Sequence, residues 1–156
     1  MIVQEEFISI KTTPDVVERW LTDPKLFDQW RSPIVLIEPL EGDLMAQGSM
    51  FRLRLKTLAL AGSTYLVNER DNEHLLFVMD GLWRGTELWR WFRDGERTIV
   101  QNRVEYVVPN DALRVFVVSF GRLFAQLDMK LQLTNLRIAI EGGVRTMPIR
   151  EPSLPG

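Results

Sequence analysis

The sequence predicts an α+β domain: an antiparallel sheet of about six to seven strands, two short helices after the first strand, and one long C-terminal helix. Three observations carry this. The apolar strand Glu6-Phe7-Ile8-Ser9-Ile10 runs straight into a helix-forming stretch that ends near Trp30. Between about residues 34 and 108 apolar positions recur every second residue, with turns between the runs. From Asp111 to Glu141 they recur at helical spacing and close on Asn135-Leu136-Arg137-Ile138-Ala139-Ile140-Glu141-Gly142. Every β segment is joined to the next by a short turn, which leaves no helix for a parallel crossover and makes the whole sheet antiparallel.

Residues 2–11 alternate as a half-buried strand does. Thr13 is placed to cap the next helix, Pro14 suits a first helical position that needs no N–H, and Asp15 favours the positive helix end. Val16, Val17, Trp20 and Leu21 then share one face. Thr22-Asp23-Pro24 ends that helix and starts a shorter one, and Trp20 and Trp30 are expected to pack in the core. Ile34–Leu40 reads as a strand, with Gly42 and Gly48 bracketing a turn. Met50–Leu58 alternates Phe51, Leu53 and Leu55 with Arg52, Arg54 and Lys56, a dry face and a wet one. Ala61-Gly62-Ser63 turns into a strand through Asn68, and Asp71-Asn72 into Leu75–Met79. Strands over 84–93 and 98–108 flank Asp94-Gly95-Glu96-Arg97, and Pro109-Asn110-Asp111 ends the sheet and caps the last helix.

Composition bounds the function. The chain has 156 residues, 46% of them hydrophobic, with five Trp and eight Phe, enough for one well-filled core. A net charge of −2 argues against nucleic acid as a partner. Cysteine is absent, which removes disulfide and thiolate chemistry and fits a reducing compartment. The first residues lack the basic start and apolar core of a signal peptide, and no run of about 18 apolar residues occurs, so a cytoplasmic location is expected. One domain over 1–143 is expected, then a mobile tail over 144–156 containing Pro148, Pro152 and Pro155.

The hairpin around Gly95 sets which side chains face inward. Gln101, Arg103 and Glu105 must face water, so Val100, Asn102, Val104 and Tyr106 face the core. A two- or four-residue loop then pairs Trp91 with Val100, Trp89 with Asn102 and Glu87 with Val104; an odd loop would turn Leu88, Arg90 and Phe92 inward instead. In the first register Glu87 and Asn102 become polar groups among aromatics, as in a small-molecule site. A carboxylate so placed is a candidate general acid or base, because desolvation favours its neutral form. The alternative is a Glu87 at the mouth, solvated or hydrogen-bonded.

The last helix would be about 45 Å long at about 1.5 Å per residue. Leu113, Phe116, Phe120, Phe124, Leu127, Leu131 and Ile138 share a face expected to wall the concave side of the sheet. A second apolar arc, Val118, Ala125, Met129 and Leu136, would pack on the sheet rim or serve as a dimer or membrane-surface contact. Gly121 would permit a bend. The candidate ligand-binding set is therefore Phe51, Leu53, Tyr65, Trp89, Trp91 and Asn102 with Val104, Tyr106, Phe116, Phe120, Phe124 and Leu127.

Several chemistries lack their residues. His74 is the sole histidine and sits in a turn, with neither triad partners nor metal-ligand spacing around it. No glycine-rich phosphate loop occurs, and no cofactor or metal is expected. Arg52, Arg54 and Lys56 read as a solvated sheet face.

The opening Ile10-Lys11-Thr12-Thr13-Pro14-Asp15-Val16-Val17, with Asp23-Pro24 and Trp30 after it, resembles that of the START/Bet v 1-like (SRPBCC) superfamily, polyketide cyclase and lipid-transport group. Gly95-Glu96-Arg97-Thr98 loosely represents its Gly-Thr turn, and Leu136-Arg137 with Glu141 its terminal cluster. The resemblance covers about residues 3 to 143. It implies a helix-grip fold in which the sheet wraps the C-terminal helix and leaves an apolar cavity. Members include aromatase/cyclases, lipid carriers, ligand-sensing receptors and quinone-binding chaperones, with no universal catalytic residue. The expected function is binding or carrying a hydrophobic or aromatic small molecule, of lipid, polyketide or isoprenoid type. The alternatives are a cyclase/dehydratase-type enzyme, with Glu87 as acid/base and Asn102 or Tyr106 orienting it, and an interaction protein with a vestigial pocket. Peripheral membrane contact and a homodimer through the outer arc of the last helix are the further partners considered.

Overall fold

A computed structural model describes residues 1–56 and 62–145, with the side chains of Phe116, Val117, Phe120 and residues 143–145 outside the description. The end of the Met50–Leu58 strand, the turn at Ala61, Phe116 and Phe120 as cavity residues, and the tail after Arg145 thus lie outside the described residues.

Seven strands form one antiparallel sheet in the order β1-β7-β6-β5-β4-β3-β2. They are β1 (Ile2–Ile10), β2 (Val35–Glu41), β3 (Met50–Leu55), β4 (Ser63–Arg70), β5 (His74–Gly81), β6 (Arg84–Asp94) and β7 (Arg97–Val107). From β2 to β7 the chain meanders hairpin by hairpin. Between β1 and β2 it crosses from one sheet edge to the other through α1 (Pro14–Thr22) and a 3-10 turn (Pro24–Gln29). Thr13 stands at the N-cap without a side-chain cap bond, whereas Asp23 accepts from Lys25 N at 3.0 Å to start the 3-10 turn.

Alternation places one row of each strand on the concave side. Trp91, Val100, Val67 and Ile10 are wholly buried there, with Phe51, Phe77, Leu75 and Trp30 at 1% exposure. Edge-on ring contacts link Phe27 to Trp30 (6.0 Å between centroids) and Trp30 to Trp89 (5.5 Å), and Phe51 stacks on Tyr65 (5.1 Å). Gly95, at φ +61°, makes the two-residue β6–β7 turn. Gly85 allows the same two strands to close, since a Cβ there would fall 1.9 Å from the Glu105 carbonyl oxygen.

The C-terminal segment departs from one continuous helix. It is α2 (Asp111–Phe116), a π turn (Val117–Gly121) and α3 (Arg122–Arg145). Asn110 Oδ1 caps it, accepting from Leu113 N at 3.0 Å. The side chains of β1 hold α3: Gln4 donates to the Arg122 carbonyl (2.8 Å), Gln126 donates to Glu6 (3.2 Å), and Lys130 pairs with Glu6 (3.5 Å).

The buried face of α3 is not the expected one. Met129, Leu133, Leu136 and Ile140 enter the core, while Phe124 (70% exposed), Leu127 (54%), Leu131 and Ile138 face solvent. Phe124 and Leu127 therefore do not wall the concave side, and Met129 and Leu136 are core residues, not an outer arc available to a dimer or a membrane. The π turn supplies the reason. It adds a residue to one turn and rotates the rest of the helix by about 100°, so a stripe traced at regular helical spacing from Leu113 loses its phase in α3.

Candidate functional site

Two polar groupings lie on the concave side, and they differ in how their hydrogen bonds are met. The first belongs to the β6–β7 hairpin. Its register pairs Glu87 with Val104, Trp89 with Asn102 and Trp91 with Val100. Both indoles are buried, Trp89 at 3% and Trp91 at 0% exposure. Glu87 Oε1 accepts from Trp89 Nε1 at 2.7 Å and from Asn102 Nδ2 at 3.0 Å. Nearby, Trp83 Nε1 donates to the Tyr65 hydroxyl at 3.2 Å. Burial, reinforced by the charge of Glu87, pushes the Tyr65 hydroxyl well above its ordinary value, so it stays protonated.

The second grouping is Arg31 and Ser32, where the chain leaves the 3-10 turn behind the core residue Trp30. The Arg31 guanidinium carbon sits 4.6 Å from the Phe27 ring centroid and 4.8 Å from that of Trp30. Burial lowers its pKa from the ordinary guanidinium value, and the charge of Glu87 opposes that effect. Arg31 Nε and Ser32 Oγ are both sealed from solvent, and neither has a hydrogen-bond partner. Trp91 Nε1 shares that condition deeper in the core.

Arg31 and Ser32 line a cleft of about 360 Å³ between the 3-10 turn and the β2–β3 edge. Pro24, Phe27 and Asp28 form one wall with Pro33, and Val35, Leu36, Ile37, Leu44 and Lys56 form the other. Phe27 is buried, Val35, Ile37 and Leu44 are half-buried, and the charged Asp28 and Lys56 are exposed. The result is a cleft lined by both apolar and polar residues, with Arg31 Nε and Ser32 Oγ closed off from solvent behind it.

Of the residues expected from sequence, Phe51, Tyr65, Trp89, Trp91, Asn102 and Tyr106 are buried on the concave side, with Leu53 and Val104 half-buried against the same core. None of these lines the cleft, and neither does Glu87. Sequence reasoning missed Arg31 and Ser32. The available signal was a single arginine directly after a core tryptophan, in Trp30-Arg31-Ser32-Pro33. His74 bridges Glu69 (3.1 Å) and Asp71 (2.8 Å) at its turn, and Arg54 pairs with Glu38 at 2.9 Å on the wet face. Among the described residues no group of three or more His, Cys, Asp or Glu side chains is placed to hold a metal ion, and no helix is long and apolar enough to cross a membrane.

The family described as polyketide cyclase / dehydrase and lipid transport matches residues 1–141. No curated protein matches the chain. Among solved structures, the chain is similar to the Zhui aromatase/cyclase from Streptomyces sp. R1128, with 17% identity over 93% of this chain and 96% of that one and a TM-score of 0.68. The KanY protein gives 16% identity, 90% and 98% coverage and a TM-score of 0.72. The Aha1 dimer from Colwellia psychrerythraea gives 15%, 92% and 98%, and 0.65. At these identities the structural likeness speaks for the fold. With the family match running from the first strand into the last turns of α3, the chain belongs to the polyketide cyclase / dehydrase and lipid transport family.

Proposed function

We propose that this protein binds and carries a hydrophobic or aromatic small molecule, of lipid, polyketide or isoprenoid type, in the cleft between its 3-10 turn and the β2–β3 edge. The observation that carries the reading is the cleft itself: about 360 Å³, with apolar side chains at Phe27, Val35, Ile37 and Leu44 and polar ones at Asp28, Arg31, Ser32 and Lys56. Ligand pockets run from about 300 to 1,000 Å³ and share that lining. Family membership and the aromatase/cyclase fold neighbour support a small-molecule role. Acid–base turnover at Glu87 has less support, because Glu87 is not among the residues that line the cleft and its Oε1 is engaged by two donors. Mass spectrometry of an organic extract from protein purified without denaturation tests the proposal. An apolar compound should co-purify with the wild type and be lost in Ile37→Trp, which fills the slot. A folded wild type that yields no such compound, and binds no apolar reporter dye, would overturn the reading.

A further inference from the structure

We infer that the solvent-facing side of α3 docks on an anionic lipid surface, with Leu123, Phe124, Leu127, Leu131 and Ile138 in the interface and Lys130 and Arg137 reaching the charged headgroups. The inference goes beyond the cleft reading, since no residue of α3 lines the cleft. An α-helix advances about 100° per residue, and on α3 that period sets two apolar faces back to back. Met129, Leu133, Leu136 and Ile140 make the first and enter the core. The second is turned to solvent, with Phe124 70% exposed, Leu123 64%, Ile138 61%, Leu127 54% and Leu131 48%. A helix packed on one side ordinarily shows polar residues to water on the other. Here the polar members of the outward arc are Thr134 and Asn135. A contiguous apolar stripe of this kind marks a contact surface.

Charge decides what covers it. From Arg122 to Ile138 the helix carries three cations, Arg122, Lys130 and Arg137, against one anion, Asp128, on a chain of net charge −2. Lys130 and Arg137 stand seven residues apart on one edge of the stripe, and Lys130 also pairs with Glu6 at 3.5 Å. Asp128 stands on the opposite edge, where its carboxylate accepts from Gln132 at 2.8 Å. A second copy of the chain suits this pattern poorly. Paired antiparallel, the Lys130 edge would meet the same basic edge of the other helix; paired parallel, Lys130 would meet Asn135. Neither arrangement gives the two cations an anion, whereas lipid phosphates do. Long basic side chains beside an apolar stripe lay their stems along it and lift their charged ends to the headgroups. Each such cation adds attraction to an anionic leaflet.

Co-sedimentation of the full chain with vesicles of pure phosphatidylcholine, and of phosphatidylcholine mixed with phosphatidylglycerol, tests this. The mixed vesicles should bind the protein about tenfold or more tightly, and raised salt should remove most of the difference. Lys130→Gln with Arg137→Gln should abolish the preference for the mixed vesicles. Phe124→Ser with Leu127→Ser, both at exposed positions, should leave the circular dichroism spectrum unchanged and take binding below detection. Because the chain has no cysteine, a polarity-sensitive dye can be placed singly. On Leu127→Cys its emission should shift to the blue with mixed vesicles; on Arg52→Cys, on the wet face of β3, it should not. No binding to either vesicle, equal affinity for the two, or equal dye shifts at both positions would overturn the lipid assignment. Binding that survives Phe124→Ser with Leu127→Ser would also overturn it. So would a lipid-free dimer in sedimentation velocity that the same pair of substitutions converts to monomer, because the stripe would then belong to a second copy.

Discussion

Glu87 and Arg31 lie within each other's electric field, yet one belongs to a finished network and the other to an unfinished one. Glu87 Oε1 is met by Trp89 and Asn102, and together the three lock the middle of the β6–β7 hairpin. Arg31 Nε and Ser32 Oγ, on the neighbouring turn, are equally hidden from water and have nothing to bind. A satisfied buried polar group stabilises the fold that satisfies it. An unsatisfied one costs stability. The difference marks the hairpin cluster as a structural element and leaves Arg31 and Ser32 as a strained spot beside the cleft.

The largest effect that sharpens this contrast lies on α3, which also has a met face and an unmet one. Leu136→Ala should cost about 2–5 kcal/mol, because Leu136 is wholly buried. Leu127→Ala, on the stripe facing solvent, should stay within about 0.5 kcal/mol. Chemical denaturation monitored by circular dichroism separates the two, and equal losses would mean that the exposed stripe is covered in solution. Next comes Glu87→Ala, which strips the acceptor from two buried donors and should destabilise by about 2–4 kcal/mol in the same assay. Arg31→Gln should cost about 1 kcal/mol, the loss of its contacts with two rings. If it cost as much as Glu87→Ala, Arg31 would be a structural residue and the comparison would fail. Smallest is Ser32→Ala, expected within about 0.5 kcal/mol of the wild type and on the stabilising side, since it removes a hidden hydroxyl that bonds to nothing.

These contrasts explain what the sequence could disclose. The hairpin was legible because polar Gln101, Arg103 and Glu105 alternate strictly with apolar neighbours, and a two-residue turn transmits that phase from β7 to β6. The sheet and the short N-terminal helices were legible for the same reason, with Pro14 and Asp23-Pro24 marking helix starts. The C-terminal helix was not. It carries apolar stripes on opposite faces, and the π turn at Val117–Gly121 moves the phase between its halves. No pattern in composition announces which stripe is buried; the contacts to Gln4 and Glu6 on β1 decide it. The cleft was not legible either. Arg31 and Ser32 have no periodic partner in the chain, and their lack of hydrogen-bond partners is visible only once neighbours are placed in space.

The cleft is open to a small apolar molecule while the hairpin cluster is closed, and nitrogen-15 NMR during titration with 1-octanol tests that difference most directly. The backbone N–H signals of Phe27, Val35 and Ile37, which line the cleft, should shift as octanol binds. The Trp89 Nε1–H signal, already committed to Glu87, should hardly move. Signals of Phe27, Val35 and Ile37 that stay put while those of Leu127 and Leu131 respond would contradict the proposed cleft, because they would place the apolar molecule on the exposed face of α3 instead.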